Sequence, residues 1–471
     1  MIGVAVVAAV AAVSACGPTA NQAQGPSPAT VMRVIDGDTV DARLADGREV
    51  TARLSGIDTP ETQRPGVTVE RGGEQASVAM RRLVEGQAVT PVSDATQDAV
   101  DRFGRSLFYV DRSSDGLDVG EEMLRCGWAE EPPGCLGAVL GGEQWPGGCW
   151  RPFADASPFN TPLPANPRLA PDSDAVVRRM LAMVGGRGPT ELEAFEDGRG
   201  GEPTYCSRPS DPVYTVHCTR DWGRCAAEGV QVRIPAGAVP EGNRGSSGSD
   251  SGEDAHLTVV DLQAGREVDL WQVQHDQVPA AGGRLNVSWG GVTELAGHGI
   301  EVPSAATAAE FANLAGRVRA EELEAGAIDH AIFVVVKCDS GRWVFPARKA
   351  GGRCENPADA PPMGARLRLD YTDAEIDALA VPRWKKPLLR AMARYGLIVG
   401  DTGTNDLFSI ERESGLQYRA MGRRDRWLAY AREHGFERWS GDGGVYIGDV
   451  AAGVDWRRLQ VVHPCVSQRT C

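Results

Sequence analysis

Three short motifs in the first quarter of the chain concentrate acidic and arginine side chains. The motifs VIDGDTV, RLSGIDTPET and DRFGRSL contribute, in chain order, Asp36, Asp38, Arg53, Asp58, Thr59, Glu61 and Arg105. Carboxylate and carbonyl oxygens bind a hard divalent cation, and a carboxylate outside the coordination sphere can activate water. An arginine fork binds two phosphate oxygens at once. This combination of side chains suits the hydrolysis of a phosphodiester bond.

Each motif has a simpler interpretation when it stands alone. DGDT is usually a turn, and Arg53 alone would be a surface residue of a strand. DGDT is not an EF-hand loop either, because Val40 and Asp41 stand where that loop needs an oxygen ligand and a glycine. The order and spacing of the three motifs together favour a functional site.

Residues 31–130 resemble the staphylococcal nuclease domain, also called the thermonuclease or TNase-like domain. The motifs DGDT, R…DTPE and D-x-aromatic-G-R occur here in the order and spacing of that family, and VERGGEQAS matches as well. The resemblance covers about a fifth of the chain. It implies an endonuclease that hydrolyses DNA or RNA and leaves 3′-phosphate ends.

The resemblance also implies a metal site. Ca²⁺ would be bound by the side chains of Asp38 and Asp58 and by the backbone carbonyl of Thr59. Asp36 matches a nearby acidic position that would support the metal site without binding the ion directly.

The resemblance further implies three catalytic residues. Glu61 would be the general base, and Arg53 and Arg105 would bind and polarise the scissile phosphate. Arg102 and Phe103 stand where the family has a lysine and a tyrosine, so the charge is kept and a hydroxyl is lost. The segment GWAEEPPGC replaces the family's tyrosines near the nucleotide, which predicts weaker base stacking and an altered substrate preference.

The elements that must position these residues can be predicted from periodicity. Residues 31–57 alternate as a strand, a turn at ADGR and a second strand, and a helix from Glu74 to Val84 ends at Gly86. QAVTPVSD and RSLFYVD indicate further strands, and VGEEMLRCGWA indicates a closing helix. Residues 31–131 therefore predict a five-stranded barrel of the OB type with helices.

The rest of the chain predicts a linker and a separate β-rich accessory domain. Residues 132–168 are rich in Pro, Gly, Cys and Trp, and residues 169–471 contain many short strand patterns such as VYTVHC, EVDLWQVQ, HAIFVVVKC and RWVFPA. Helices are expected at AATAAEFANLAGRVRAEELEAG, PLLRAMARYG and DRWLAYAREHG. The fold class is therefore mainly β with α.

The sequence of the accessory region contains few residues that indicate a reaction. Asp329 and His330 precede an apolar strand without a nucleophile motif, so a structural hydrogen bond is the simpler interpretation. Its tryptophans suit core or edge packing better than a sugar-binding surface. The region resembles uncharacterised domains of exported actinobacterial proteins, which implies no reaction.

The N-terminus predicts export. Residues 1–16 form an apolar run that ends at Val13-Ser14-Ala15-Cys16, which resembles a lipoprotein signal with lipidation at Cys16, and residues 17–30 suit a flexible tether. Ten cysteines remain of the 11, an even number that suits disulfides, and the spacing of His217, Cys218 and Cys225 fits no standard zinc pattern. We therefore expect an extracellular, membrane-anchored lipoprotein.

Net charge and the open alternatives limit the choice of function. The formal net charge of −15 argues against a protein that coats nucleic acid through bulk positive charge, but it leaves room for a nuclease with a local cationic site. One alternative is a non-catalytic nucleic-acid-binding surface lipoprotein. The other is a cell-envelope glycan-binding protein in which the nuclease-like domain is secondary.

Overall fold

The computed structural model describes most of the chain beyond residue 27. The described residues are 28–60, 62, 73–93, 99–113, 117–125, 151–186, 188–189, 191–242, 254–261, 264–275, 277–300, 305–403, 408–441 and 444–471. Cys16 and Glu61, with their predicted roles, lie outside these residues, as does the predicted signal segment. Among the described residues, no helix is long and apolar enough to cross a membrane.

The chain divides into two compact units. For the described residues, the first unit ends at Leu124 and the second includes residues 151–471. The first unit consists of β1 (Ala29–Val34), β2 (Thr39–Leu44), β3 (Glu49–Leu54), α1 (Gly73–Val84), β4 (Ala88–Val92), β5 (Ser106–Arg112), β6 (Leu117–Asp118) and α2 (Val119–Arg125).

Five strands of the first unit close into a barrel. The ring runs β1-β2-β3-β5-β4 and returns to β1, and β6 adds to the edge of β5. Only the β3–β5 pairing in this ring is parallel. Helix α1 turns Ala76, Met80 and Val84 into the buried interior, as its helical spacing predicts. The predicted OB-type five-stranded barrel with helices is therefore confirmed.

The DGDT motif lies between two strands instead of ending one. The sequence predicts a single strand through residues 31–44, whereas the structure breaks it into β1 and β2 around Asp36 and Asp38. The carboxylate of Asp36 accepts a hydrogen bond from the amide of Asp38 at 3.2 Å, which is a local turn contact that competes with strand pairing. The motif is thus a hairpin turn at one end of the barrel.

The second unit contains mixed sheets and several helices. Its strands are β7 (Glu191–Phe195), β8 (Thr204–Cys206), β9 (Val213–Cys218), β10 (Gln231–Arg233), β11 (Leu257–Asp261), β12 (Arg266–Val273), β13 (Gly283–Glu294), β14 (Ile332–Val336), β15 (Arg366–Leu369), β16 (Leu397–Thr402), β17 (Phe408–Ile410), β18 (Glu437–Trp439), β19 (Val445–Asp449) and β20 (Leu459–Val462). Its helices are α3 (Ser173–Met183), α4 (Ala320–Ala325), α5 (Asp373–Ala378), α6 (Lys385–Arg394), α7 (Leu416–Ala420), α8 (Arg426–Glu433) and α9 (Pro464–Ser467), with a 3₁₀ turn at Trp456–Arg458.

These strands form three sheets in the described part of the second unit. The sheet orders are β10-β9-β13-β12-β11-β8, β17-β14-β16-β15-β20 and β18-β19-β7. Two of the sheets mix parallel with antiparallel pairs, since β9 runs parallel to β13 and β14 runs parallel to β16. The region predicted as β-rich is therefore a set of mixed sheets with helices.

One predicted helix and one predicted strand of this unit are wrong. Within residues 305–326 only α4 is helical, because the amides of Asn313 and Leu314 donate to the buried carboxylates of Asp269 and Glu267 at 3.1 and 2.9 Å, outside any helical pattern. RWVFPA forms no strand either, and its Trp343 makes only an isolated bridge. Tertiary hydrogen bonds override local periodicity at both places.

Part of the predicted linker is folded. Phe153 and Phe159, which lie within residues 132–168, are buried in the main core of the second unit. The side-chain amide of Asn160 donates to the carbonyls of Pro152 and Ala154. Isolated aromatic residues in irregular backbone leave no periodic pattern, so this packing could not be predicted from the sequence.

Among the described residues of the second unit, disulfides link three pairs of cysteines. The pairs are Cys218–Cys225, Cys338–Cys354 and Cys465–Cys471. The expectation of a disulfide instead of a zinc site at Cys218 and Cys225 is met. Cys206 departs from the expected complete pairing, because it is a buried free thiol in β8.

Candidate active site

The carboxylate of Asp38 is buried at the tip of the β1–β2 turn and is held by three donors. One oxygen accepts from the amide and the hydroxyl of Thr59 at 2.9 and 3.1 Å, and the other accepts from the hydroxyl of Thr39 at 2.9 Å. These bonds satisfy a charge that burial would otherwise make costly. They also fix the loop after β3 against the turn.

Gly37 is required by this close approach. A Cβ atom at Gly37 would lie 2.6 Å from Oγ1 of Thr59 and 2.8 Å from Cβ of Ala76 in α1. Both distances are shorter than ordinary contacts, so a side chain would push the turn away from the loop and the helix. The glycine in DGDT therefore sets the distance between Asp38 and Thr59.

Arg53 lies at the end of β3 and joins the two aspartates. One Nη atom donates to the backbone carbonyls of Ile57 and Leu54 at 2.8 and 3.1 Å, which fixes the plane of the guanidinium. The other lies 2.6 Å from Asp58 and 3.3 Å from Asp38. The side chain of Asp58 is 62% exposed, so this end of the site opens to solvent.

Arg105 reaches the site from the turn before β5. Gly104 has a φ of +84°, a conformation that favours glycine, and this turn brings the guanidinium back toward Asp101. Nε of Arg105 donates to Asp101 at 2.8 Å, and an Nη atom donates to the hydroxyl of Thr39 at 3.3 Å. Thr39 in turn bonds to Asp38, so a continuous chain of hydrogen bonds links Arg105 to Asp38.

Asp101 positions Arg105 and is itself strongly held. Burial alone would raise the pKa of Asp101, but the backbone amide and guanidinium of Arg105 and the amide of Phe103 outweigh it and lower the pKa below its ordinary value. The carboxylate is therefore charged at neutral pH and neutralises part of the Arg105 charge. Asp101 and Thr39 were not identified from the sequence as site residues, although Asp101 begins the DRFGR motif.

The structure brings together five of the six residues predicted for metal binding and catalysis. The members of this site are Asp38, Arg53, Asp58, Thr59 and Arg105. The sixth, Glu61, lies outside the described residues. Three different parts of the barrel, between Asp38 and Arg105 in sequence, thus supply one cluster.

The donor set fits a hard cation. Asp38 and Asp58 each bring a carboxylate oxygen to the same nitrogen of Arg53, so the two oxygens lie close to one another. With the backbone carbonyl of Thr59 these are oxygen ligands of the kind that Ca²⁺ and Mg²⁺ bind. A guanidinium shares this pair of carboxylates in the present arrangement.

An exposed aromatic side chain lies beside Arg105. Phe103 is 67% exposed, and the guanidinium carbons of Arg102 and Arg105 lie 4.7 and 5.5 Å from the centre of its ring. A ring flanked by two cations suits contact with a base or sugar next to a phosphate. The lost tyrosine hydroxyl therefore does not remove the aromatic surface.

Comparisons with known proteins agree with this geometry. Residues 51–132 match the family model described as staphylococcal nuclease homologue. The thermonuclease of Staphylococcus hyicus is 41% identical over 80 residues, which are 17% of this chain and 46% of that protein. Endonuclease YncB of Bacillus subtilis (strain 168) is 38% identical over 100 residues, which are 21% of this chain and 46% of that protein.

A third relative is similar over a comparable length of the chain. The thermonuclease of Staphylococcus intermedius is 37% identical over 101 residues, which are 21% of this chain and 54% of that protein. The chain thus spans about half the length of these curated relatives. The segment from residue 51 to residue 132 is a staphylococcal nuclease-like domain.

Proposed function

We propose that the barrel is a metal-dependent endonuclease that hydrolyses phosphodiester bonds of DNA, RNA or both and leaves 3′-phosphate ends. The convergence of Asp38, Arg53, Asp58 and Thr59 on one point of the barrel carries this proposal. The names of the relatives, thermonuclease and endonuclease, support the same reaction class.

Arg53 and Arg105 would bind the substrate phosphate from two sides. Each guanidinium is fixed by a backbone or carboxylate contact, so little reorganisation is needed when phosphate binds. Nitrogens not used in these contacts remain available for phosphate oxygens, because a guanidinium has five N–H donors. Glu61 would take a proton from the attacking water, as its position in the motif predicts.

Asp38, Asp58 and the carbonyl of Thr59 would hold the metal, and we propose Ca²⁺ as the ion. The bound ion would supply a positive charge that stabilises the negative charge of the transition state. The hydrogen bonds from Thr59 and Thr39 hold the Asp38 carboxylate in place for this role.

The test is a digestion assay on the full chain with purified DNA and RNA. We expect cleavage with Ca²⁺, loss of cleavage with a chelator, and products whose ends accept label only after phosphatase treatment. Glu61→Gln should reduce turnover by roughly two to four orders of magnitude, the usual contribution of a general base. Chelator-resistant cleavage would reject the metal assignment, and binding without any cleavage would favour the non-catalytic alternative.

We also propose that the protein is exported and lipid-anchored at Cys16. The disulfides between described cysteines of the second unit support an oxidising location. Cys16→Ser should release the protein from the membrane fraction. An intact mass that places the mature N-terminus elsewhere would reject lipidation.

Glycan binding by the second unit is a second candidate, and a tryptophan cluster favours it. Trp271 and Trp289 face each other across β12 and β13, and Trp222 lies over them with ring centres 5.4 and 6.1 Å away. Trp222 is 54% exposed and lies in the loop closed by Cys218 and Cys225. Such an exposed aromatic surface can stack on a sugar ring.

A cell-wall pull-down tests this candidate. Trp222→Ala should reduce retention of the full chain on insoluble polysaccharide. Trp343→Ala is the matched control, because Trp343 has the same exposed fraction of 54% and takes no part in the cluster. Equal retention of both variants would exclude the tryptophan cluster as a glycan site.

A further inference from the structure

An arginine-lined cleft lies on the second unit between α7 and α8. It has a volume of about 460 Å³. Its charged lining consists of Arg419, Arg423, Arg424, Arg432, Asp425 and Glu433. All four arginines are exposed, so their positive charge faces solvent. We call this feature the arginine cleft.

The two acids of the arginine cleft neutralise only part of this charge. Asp425 is buried and its carboxylate accepts from the amide of Leu428, so it acts mainly as the N-cap of α8. Glu433 pairs with Arg424 at 2.5 Å, but both side chains are largely exposed and water screens such a pair. Glu196, outside the lining, also pairs with Arg432, but its carboxylate is shared with Arg438. Four arginines against two acids in the lining therefore leave an excess of positive charge in the cleft.

Glu196 holds two of the arginines in place, one through its backbone carbonyl and one through its carboxylate. Arg419 donates to the carbonyl of Glu196 at 2.9 Å, and an Nη atom of Arg432 lies 3.7 Å from the carboxylate of the same residue. The guanidinium of Arg432 also lies 5.3 Å from the centre of the Tyr446 ring. Glu196 thus holds Arg419 of α7 and Arg432 of α8 on the same side of the cleft. The N–H groups that these two arginines do not use in this way can still donate to a ligand.

This charge distribution points to a polyanion. The whole chain has a formal net charge of −15, so an anion meets repulsion over much of the protein and attraction at a local cluster of exposed arginines. Arginine forks match two oxygens of a phosphate. Several forks in one cleft suit a strand of linked phosphates better than a single small anion.

We propose that the arginine cleft binds the phosphate backbone of a nucleic acid strand, as a second contact surface in addition to the barrel. This inference rests on the proposed nuclease function for the identity of the polyanion. The cleft would raise the affinity for long substrates, and it would leave the chemical step at the barrel unchanged.

The test measures binding of a fluorescein-labelled 30-nucleotide single-stranded DNA to the full chain by anisotropy, with chelator present and at several salt concentrations. Each phosphate contact on a single strand contributes roughly 0.7 to the slope of log affinity against log salt. The double variant Arg423→Gln/Arg424→Gln should therefore lower the slope by roughly 1.4 and the affinity by roughly tenfold at 0.15 M salt.

A matched control removes the same charge elsewhere on the second unit. Arg390 and Arg457 each pair with an aspartate and do not line the cleft. Arg390→Gln/Arg457→Gln should leave the affinity and the slope within twofold and 0.3 of the native values. If the double cleft variant does not fold, judged by circular dichroism, Arg424→Gln alone should lower the slope by roughly 0.7.

Competition by other polyanions and a cleavage assay distinguish the possible results. Polyphosphate should displace the DNA, whereas polyglutamate of equal charge should displace it much less. Equal displacement by polyglutamate, or an unchanged slope in the cleft variant, would overturn the proposal. Cleavage with Ca²⁺ is measured on the same samples. If the cleft variant binds DNA normally and the chain still cleaves DNA, only the proposal for the arginine cleft is rejected. If the chain binds DNA through the cleft but does not cleave it, only the proposed nuclease function is rejected.

Discussion

Arg105 shows why residue type matters at the scale of a single side chain. It contacts Asp101 through Nε and Thr39 through an Nη atom, so it spans two partners that lie on different sides of its fork. A lysine has one nitrogen and cannot reproduce both contacts while facing a phosphate.

We therefore expect Arg105→Lys to reduce kcat/KM on DNA by at least a hundredfold, which corresponds to about 2.7 kcal/mol of transition-state stabilisation. Steady-state kinetics with Ca²⁺ provide the measurement. Arg43→Lys is the control, because Arg43 is an exposed arginine of the same barrel that pairs with Glu49. Equal activity of the two variants would contradict the role of Arg105.

The types of the site residues were predictable from the sequence, and their partners were not. Asp38, Arg53, Asp58, Thr59 and Arg105 were identified because their motifs follow one another in a familiar order. The hydrogen bonds from Thr39 to Asp38 and from Arg105 to Thr39 depend on barrel closure, which joins positions 66 apart. The sequence therefore predicts which functional groups the site contains, but not which of their atoms form hydrogen bonds.

At the scale of elements, the β1–β2 turn decides how the site is assembled. Its Gly37 lies against Thr59 and against Ala76 of α1, so the turn, the following loop and the helix meet at one backbone position. The turn therefore transmits any local displacement directly to the carboxylate of Asp38, the proposed metal ligand next to it.

Gly37→Ala should push the β1–β2 turn away from Thr59 and from helix α1. We expect a loss of roughly 1–3 kcal/mol in the stability of the barrel, as for other overpacked sites, and a lower affinity for Ca²⁺. Calorimetry and a Ca²⁺ titration of activity give the two measurements. Gly86→Ala is the comparison, since that glycine has a φ of +75° with open space around it and should cost stability without changing Ca²⁺ dependence. Identical Ca²⁺ dependence in both variants would exclude the steric argument.

Amphipathic periodicity predicted two helices of the second unit correctly, but helix α3 was missed although it also buries one face. Helices α6 and α8 match PLLRAMARYG and DRWLAYAREHG because each buries one face. Helix α5 was missed although Thr372 and Glu375 form a capping box, a signal that the sequence contains. The segment 305–319 has a helical pattern in its sequence but is irregular, because buried carboxylates on β12 accept the amide hydrogens of Asn313 and Leu314.

At the scale of the whole molecule, the second unit buries an unusual number of carboxyl groups. Burial raises the pKa of Glu202 and Glu411 from 4.5 to about 7, that of Glu413 to about 8, and that of Asp401 from 3.8 to about 6. Glu202 pairs with the buried Arg317, which lowers its pKa in part but does not cancel the effect of burial.

These shifts predict that the second unit loses stability as pH rises. A raised carboxyl pKa means that the folded state binds more protons than the unfolded state, so the free energy of unfolding falls with pH up to the folded pKa. Burial lowers the pKa of His256 below 6.5, which opposes this trend only below about pH 6.5. We therefore expect the melting temperature of this unit to fall between pH 6.5 and 8.

Calorimetry of the full chain across this range is the measurement. Glu413→Gln removes the group with the highest of these pKa values and should flatten the decline above pH 7. The exposed Glu433→Gln is a suitable control, because its carboxylate lies in solvent beside Arg424. A melting temperature that is constant or rises from pH 6.5 to 8 would contradict the assignment of protonated buried carboxyls.

Separation of the two units is the last prediction at this scale. The described site residues all lie between Asp38 and Arg105, inside a barrel that closes its own ring of strands. A unit of about 100 residues can bury enough surface to fold alone. The second unit already includes Arg151, whose guanidinium donates to the carbonyl of Asp329 at 2.8 Å, so a fragment of the first unit should end before it.

We expect residues 28–150 to fold and to cleave a short oligonucleotide within tenfold of the full chain, a difference of about 1.4 kcal/mol in the barrier. Residues 151–471 should fold and show no cleavage. Longer DNA separates this expectation from the role of the arginine cleft, because the fragment lacks Arg423 and Arg424 and should show a raised KM with an unchanged kcat. Circular dichroism and a digestion assay are sufficient measurements. A folded fragment 28–150 that leaves the short oligonucleotide intact would mean that the second unit completes the active site, because every residue that we assign to the chemistry is present in that fragment.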